Sequence, residues 1–319
     1  MNKATNITLE QAAEFLLQND NYLILSHANP DGDTEGCAHG LCGALQRIGK
    51  KARLACSDPL SERFTYMEEA IEKQDFKESF VVSVDIADKS LLGDLEAAYG
   101  DKVDLAIDHH VSHRPFAKRV YVDDTAAAAC EIIYDLVKLL GENTLDEKTA
   151  QCLYTGIATD TGCFKFGNTT GHSHEKAGEL MEYGFDAAAL NYLLFDMKTK
   201  DRLRLERYLF ENIEFFASDR GAVIALSKEM LDSVDAEDIN GISALPRQIH
   251  GVEVGIVLKE KKEGWKASLR SNSVNVQEIC GLFGGGGHVR AAGCTIKADS
   301  AEEAKKLITE AVTKVLEHK

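Results

Sequence analysis

Four short stretches of this 319-residue chain gather side chains that could bind cations or move protons. His27-Ala28-Asn29-Pro30-Asp31-Gly32-Asp33 brings His27, Asp31 and Asp33 close together where an apolar run gives way to a loop bent by proline and glycine. Imidazole and carboxylate donors mixed in this way suit manganese and similar divalent ions. By itself, the Asp-Gly-Asp turn could equally be satisfying its own backbone donors. Asp85 closes the apolar run Phe80–Val84, and Asp108-His109-His110 closes Val103–Ile107. Asp85 alone reads more readily as a helix cap, whereas two histidines beside an aspartate do not. Asp160 lies in GIATDTG at the end of a helical pattern, where an Asx turn is the simplest local reading.

In combination these stretches weigh differently. Carboxylate and imidazole clusters that each end an apolar element would bury several charged groups together without partners, at a large desolvation cost. Bound metal ions remove that cost. Two divalent ions about 3.5 to 4 Å apart can also make a water acidic near neutral pH and polarise a phosphoryl oxygen, which is hydrolytic chemistry.

The elements that must position these groups are short apolar runs at Tyr22–Leu25, Arg53–Cys56, Phe80–Val84 and Val103–Ile107, separated in several places by helical stretches. That alternation predicts an α/β domain with a doubly wound, mainly parallel sheet and flanking helices. Ligands of such sheets bind outside the carboxyl ends of the strands, where three of the four stretches fall. TEGCAHGLCGALQRIG, AAAACEIIYDLVKLLG and DEKTAQCLYTGIAT read as helices, the last with Asp146 as N-cap.

From Lys198 to Phe216 the chain is charged yet periodic, as expected of a helix leading between domains. We divide it into residues 1–195, a metal-binding catalytic domain; 196–217, a helical linker; and 218–319, a smaller α+β substrate-binding domain. In the last, GAVIALSKEML and VEVGIVLKEKKEGWKASLRS read as strands. A final helix opens at Ser300, with Glu303 completing a capping box.

The run Phe283-Gly284-Gly285-Gly286-Gly287-His288 disfavours a helix or strand interior, because each glycine loses much backbone freedom on ordering. Flanked by apolar residues, it reads as a loop whose amides cradle a phosphate or ribose, and a helix starting after it would add a favourable dipole. Arg270, ending KASLRS, is the candidate for a forked contact to a second phosphate, with Ser271 and Asn272 beside it. A surface ion pair is the plainer alternative for Arg270.

A net charge of −16 disfavours long duplex or single-strand nucleic acid, whose binding needs many Lys and Arg contacts to phosphates. A small anion remains compatible if metal ions supply the positive field. No apolar run is long enough to span a bilayer, and Glu10 and Glu14 interrupt the region where a signal peptide would be apolar. These features predict a cytoplasmic protein without a membrane partner. The eight cysteines show no CxxC pair and read as reduced, mostly buried side chains.

In order along the chain, HxxPDGD, the lone Asp85, Asp108-His109-His110, the TDTG turn and GGGGH resemble the DHH phosphoesterases that carry an associated C-terminal domain, over residues 20–295. The chain is most similar to the nano-RNase or oligoribonuclease branch of that family, which acts on very short RNAs, adenosine 3′,5′-bisphosphate or linear dinucleotides. The resemblance implies His27, Asp31 and Asp85 on one metal, with Asp33, Asp85, His109 and Asp160 on the other. It further implies that Asp108 orients an imidazole, that His110 faces the substrate, and that Arg270, Ser271, Gly285, Gly286, Gly287 and His288 bind substrate; from such a position His110 is expected to act as a general acid on the leaving oxygen. Manganese is the first expectation for the ions, with magnesium or cobalt as alternatives, and a homodimer is compatible.

Two departures from the family pattern stand out. Cys37 occupies the place of a small polar residue, and His172 and His174 fall where histidine is not usual. With His39 and His113, these two histidines carry ordinary packing or surface expectations. Rival functions are a family II inorganic pyrophosphatase, which shares the metal-binding half, and a silent nucleotide-binding module. A closed structural metal site would be tetrahedral and richer in cysteine. A long-strand exonuclease conflicts with the acidic composition.

Overall fold

The computed structural model describes residues 4–239 and 241–317. The chain forms two compact units that part between Met197 and Lys198. In the first, strands β1 (Thr5–Asn6), β2 (Tyr22–Leu25), β3 (Ala52–Ala55), β4 (Phe80–Val84), β5 (Leu105–Asp108) and β6 (Arg119–Val122) make one sheet, ordered β1-β6-β5-β4-β2-β3. Every neighbouring pair is parallel. Strands covered on both faces read as unbroken apolar runs. Accordingly, Tyr22 and Ile24 enter the core on one face while Leu23 and Leu25 enter the cluster on the other. The larger core takes Leu41 and Leu45 from the helix Gly32–Arg47, Ile132 and Leu136 from Ala129–Leu139, and Leu153 and Ile157 from Glu147–Asp160.

The chain builds β3 on one side of β2 and then returns to lay β4 on the other. This reversal creates a switch point between β2 and β4, outside whose carboxyl ends ligands of such sheets bind. His27 and Asp85 follow those two strand ends. The helix Gly32–Arg47 starts two residues earlier than its pattern suggested, because Asp31 caps it by accepting from the Asp33 and Thr34 amides. Asp33 therefore sits in the first helical turn and not on a loop.

The second unit is a smaller α+β fold. Strands β7 (Glu214–Phe216), β8 (Gly221–Leu226), β9 (Val254–Lys261), β10 (Gly264–Ser271), β11 (Gly286–His288) and β12 (Ala291–Ile296) form a mixed sheet in the order β11-β12-β10-β9-β8-β7. Only β8 and β9 pair in parallel among them. The helix Ala301–Glu317 packs Ala304, Ile308, Val312 and Leu316 with Ile256, Leu258 and Leu269 of the sheet. The helix Lys200–Glu211, within the stretch read as a linker, packs Leu205 and Leu209 against Ile224, Leu226 and Val257 of this same unit.

Three local expectations change. GAVIALSKEML is not all strand: Ser227 accepts from the Met230 amide and caps a short helix, Lys228–Asp232. The glycine run is not all loop, since Gly286–His288 forms the edge strand β11 against β12. Glycine is what lets the strands approach, because a Cβ on Gly287 would lie 2.6 Å from the Ala291 carbonyl oxygen, at a φ of +140°. Strand β12 follows the run and the helix Val276–Gly281 precedes it, so the expected helix start directly after the glycines is replaced by a strand. Among the described residues, no helix is long and apolar enough to cross a membrane.

Candidate metal centre

Three strand ends and two helix ends deliver the site. His27 follows β2, Asp85 follows β4, and Asp108-His109-His110 closes β5. Asp31 and Asp33 open the helix Gly32–Arg47, and Asp160 ends the helix Glu147–Asp160. Within this framework His27, Asp31 and Asp85 come together, and so do Asp33, His109 and Asp160, each trio offering ligand atoms within 4.8 Å of one another. His27 Nε2 lies 3.7 Å from Asp31 Oδ1 and 3.8 Å from Asp85 Oδ2. His109 Nε2 lies 3.9 Å from Asp33 Oδ2, 3.5 Å from Asp85 Oδ1 and 3.5 Å from Asp160 Oδ2. Asp85 is thus common to both groups.

The hydrogen bonds around this cluster decide what it can hold. His27 Nδ1 lies 2.9 Å from the Ala28 carbonyl and His109 Nδ1 lies 3.2 Å from that of Ala126, so in each ring Nδ1 donates and Nε2 is left with its lone pair. Those lone pairs face carboxylate oxygens. Asp85 is buried, and its Oδ1 has no hydrogen-bond partner among the described residues. It also holds a left-handed backbone, φ 57°, of the kind that persists when the surroundings enforce it. Among the described residues Asp85 caps no helix. A cluster of facing lone pairs and carboxylates is repulsive unless a cation lies among them, and the mixture of imidazole and carboxylate fits divalent ions of the manganese type.

Titration behaviour follows from the same crowding. Burial, then Asp33, Asp31 and Asp160, push the Asp85 carboxyl far above the ordinary range. Asp160 is pushed up to about 9 by burial and by Asp33 and Asp31. Asp33, fully buried, is raised chiefly by burial, although His109 and the Cys130 contacts oppose this. Asp33 has exceptional support: the Ala129 and Cys130 amides donate to its Oδ2 at 2.6 Å and Oδ1 at 2.9 Å. It therefore caps, from a distant segment, a helix whose own N-cap Ala128 has no side-chain oxygen. Gly156 makes room for this, since a Cβ there would lie 2.5 Å from Asp33 Oδ1.

Cys37 sits beneath that carboxylate with its sulfur 3.4 Å from that of Cys130. Burial raises both thiols, which keeps them neutral. Asp108 is buried between two imidazoles, its Oδ1 2.8 Å from His110 Nδ1 and its Oδ2 2.6 Å from His113 Nδ1. Burial opposes its ionisation, but those two histidines prevail and hold its carboxyl well below the usual range. His110 is raised by the Asp108 hydrogen bond, against desolvation, and its side chain remains 42% exposed. His113, expected to be unremarkable, is a member of this chain of contacts. Its spacing from Asp108 was the only sequence signal, and nothing local showed that the chain would turn back there. His39 is buried against Glu35, while His172 and His174 are exposed.

In the second unit, register sorts the expected substrate residues. Arg270 on β10, Ala291 on β12 and His288 on β11 lie in one row across the sheet, so Arg270 and His288 share a face. Arg270 is half-buried and pairs with no carboxylate among the described residues; burial, then Arg247, lower its pKa. Ser271 faces the other way. It is buried and its hydroxyl donates to the Val274 carbonyl, so it offers no side chain to the Arg270 face. Gly286 shares that face, whereas Gly287 lies opposite Ala292 on the core side, and Gly285 presses against Cys294.

Comparison with known proteins identifies the family. Residues 21–157 match the DHH family, N-terminal domain, and residues 222–314 match the DHHA1 domain. The chain is 33% identical over 299 residues to the bifunctional oligoribonuclease and PAP phosphatase NrnA of Thermus thermophilus, covering 92% of this chain and 89% of that protein. It is 28% identical to the NrnA of Bacillus subtilis, covering 94% and 96%. Among solved structures, an exopolyphosphatase-related protein from Bacteroides fragilis superposes with a TM-score of 0.84 at 23% identity, over 96% of both chains. The exonuclease RecJ bound to manganese superposes with a TM-score of 0.53 at 15% identity, over 96% of this chain and 94% of that one.

Proposed function

The chain belongs to the DHH phosphoesterase family, and from that premise we propose that it hydrolyses phosphate esters of short oligoribonucleotides, linear dinucleotides or adenosine 3′,5′-bisphosphate at a two-ion centre in its first unit. The observation that carries this reading is the meeting of two imidazole lone pairs with Asp31, Asp33, Asp85 and Asp160. His27, Asp31 and Asp85 would hold one ion. Asp33, Asp85, His109 and Asp160 would hold the other. Manganese suits this donor set best, with magnesium or cobalt next. When bound, such ions stabilise charge on the phosphoryl oxygens and make hydroxide available near neutral pH.

The chain's own residues supply the rest. Backbone carbonyls of Ala28 and Ala126 fix the imidazole tautomers, and the helix starting at Ala129 holds the Asp33 carboxylate in place. Asp108 favours the charged form of His110 and orients it through Nδ1, which leaves Nε2 to give a proton to the departing ester oxygen. His113 steadies Asp108 from the other side. In the second unit, the Arg270 guanidinium and His288 present donors to a phosphate or ribose of the nucleotide. We place the activity in the cytoplasm.

The test is hydrolysis of linear diadenylate, adenosine 3′,5′-bisphosphate and pyrophosphate, side by side in manganese, with Asp85→Ala as control. Turnover of the nucleotides, lost in the variant, is expected. Turnover of pyrophosphate alone would replace this reading with a pyrophosphatase, and no turnover at all would favour a silent nucleotide-binding module.

A further inference from the structure

The turn after Asp160 is built against the conformational preference of its residues. Gly162, Cys163 and Phe164 are all left-handed, with φ of 57°, 57° and 61°. Glycine takes that region freely, but a bulky residue such as phenylalanine seldom does. Surrounding contacts enforce it. The Phe164 ring stacks on His174 at 4.7 Å between centroids and meets Tyr154 edge-on at 6.3 Å. The Cys163 amide donates to the Ala158 carbonyl at 2.7 Å, and the Lys165 and Phe166 amides both donate to that of Thr161 at 2.9 Å. Asn168 Nδ2 then donates to the carbonyls of Asp160, at 3.1 Å, and Ala127, at 3.0 Å. The far end of the turn is thus tied back to a residue of the metal centre.

This rigid turn leaves one ring outside the core. Phe166 is 52% exposed, and the outer half of its ring lies against Gly162, where a Cβ would come within 2.4 Å of it. A single exposed apolar side chain ordinarily needs no explanation. A strained, multiply anchored turn that holds an aromatic ring in solvent, against a residue two positions from Asp160, does. Strain of this kind concentrates where a group must be held for a ligand.

We propose that Phe166 is a stacking platform for a nucleobase of the substrate whose phosphate is held at the centre, an inference that rests on the nucleotide phosphoesterase reading above. Every base offers a π-face, so such a platform grips a base without reading sequence. It also separates nucleotides from phosphate esters that lack a base.

The test compares wild type, Phe166→Ala, Phe166→Leu and Phe166→Trp on linear diadenylate and on a base-free ribose phosphodiester, with KM and kcat resolved. Leucine keeps an apolar contact with Gly162 but has no flat face, so it separates packing from stacking. The alanine and leucine variants should raise KM for diadenylate about tenfold, with kcat within about twofold. Their preference for diadenylate over the base-free ester should fall by a similar factor, and tryptophan should restore it. An unchanged preference in all four proteins, with wild type active, would overturn the platform alone. If wild type hydrolyses neither ester, the functional reading fails and the platform with it.

Discussion

The two units carry opposite electrostatic imbalances. In the first, Asp85 and Asp160 crowd around imidazole lone pairs, and burial together with neighbouring carboxylates lifts both far above their ordinary range. In the second, Arg270 is half-buried without a carboxylate partner among the described residues, in a row with the exposed His288. One arrangement is relieved by a cation and the other by an anion. A protein that hydrolyses a phosphate ester with metal ions needs one of each, and the function proposed above assigns a different ligand to each imbalance.

The contrast can be broken from either side, and the largest effect should come from its acidic side. Asp85→Asn should lower turnover of linear diadenylate at least about 10³-fold, because both ligand groups lose their common carboxylate. The same substitution should raise the melting temperature of the metal-free protein, since it replaces a buried carboxyl crowded by Asp33, Asp31 and Asp160 with a neutral amide. Lost activity with gained stability would separate a ligand from a structural residue. On the basic side, Arg270→Ala should lower kcat/KM about 10²-fold while leaving manganese affinity unchanged, and Arg270→Lys should recover only part of it. A change in manganese affinity would mean that the two imbalances are not independent.

Smaller effects are expected at residues around the two clusters. His113→Ala should lower kcat about tenfold through Asp108 and His110, with little further loss when added to His110→Ala. Without metal, the folded protein retains protons on Asp85 and Asp160 that the unfolded chain releases above about pH 4, and Asp160 retains its proton up to about 9. Stability of the metal-free protein should therefore fall as pH rises toward 9, and manganese should flatten that slope in thermal melts. Asp108, held below its ordinary range, works the other way and loses its contribution as pH falls. Ser271→Ala should cost about 1 kcal/mol of stability, as expected for a buried hydroxyl bond, and leave KM unchanged.

Much of the candidate centre was legible because His27, Asp85 and His109 follow apolar runs and Asp160 ends a helix, and a parallel sheet brings its strand ends to one edge. That rule puts His27, Asp85 and His109 at the same edge, although Asp85 taken alone read as a helix cap and the ligand set came from the family resemblance. Asp33 was legible as a donor but not as the distant cap of the helix at Ala129, since only the fold brings those segments together. His113 was missed for the same reason. Ser271 was misjudged although its signal was present: Trp265, Ala267 and Leu269 alternate inward, and Ser271 continues their series. The glycine run was read from backbone entropy, which says nothing of a neighbouring strand close enough to require glycine.

If the acidic cluster holds two ions around Asp85, metal binding should depend on that carboxylate at both positions. Calorimetric titration of manganese into the metal-free protein, wild type beside Asp85→Asn, tests it most directly. Two ions bound per chain in wild type, with both weakened by the substitution, is the predicted result. Binding that is absent, or that is the same in both proteins, would contradict it.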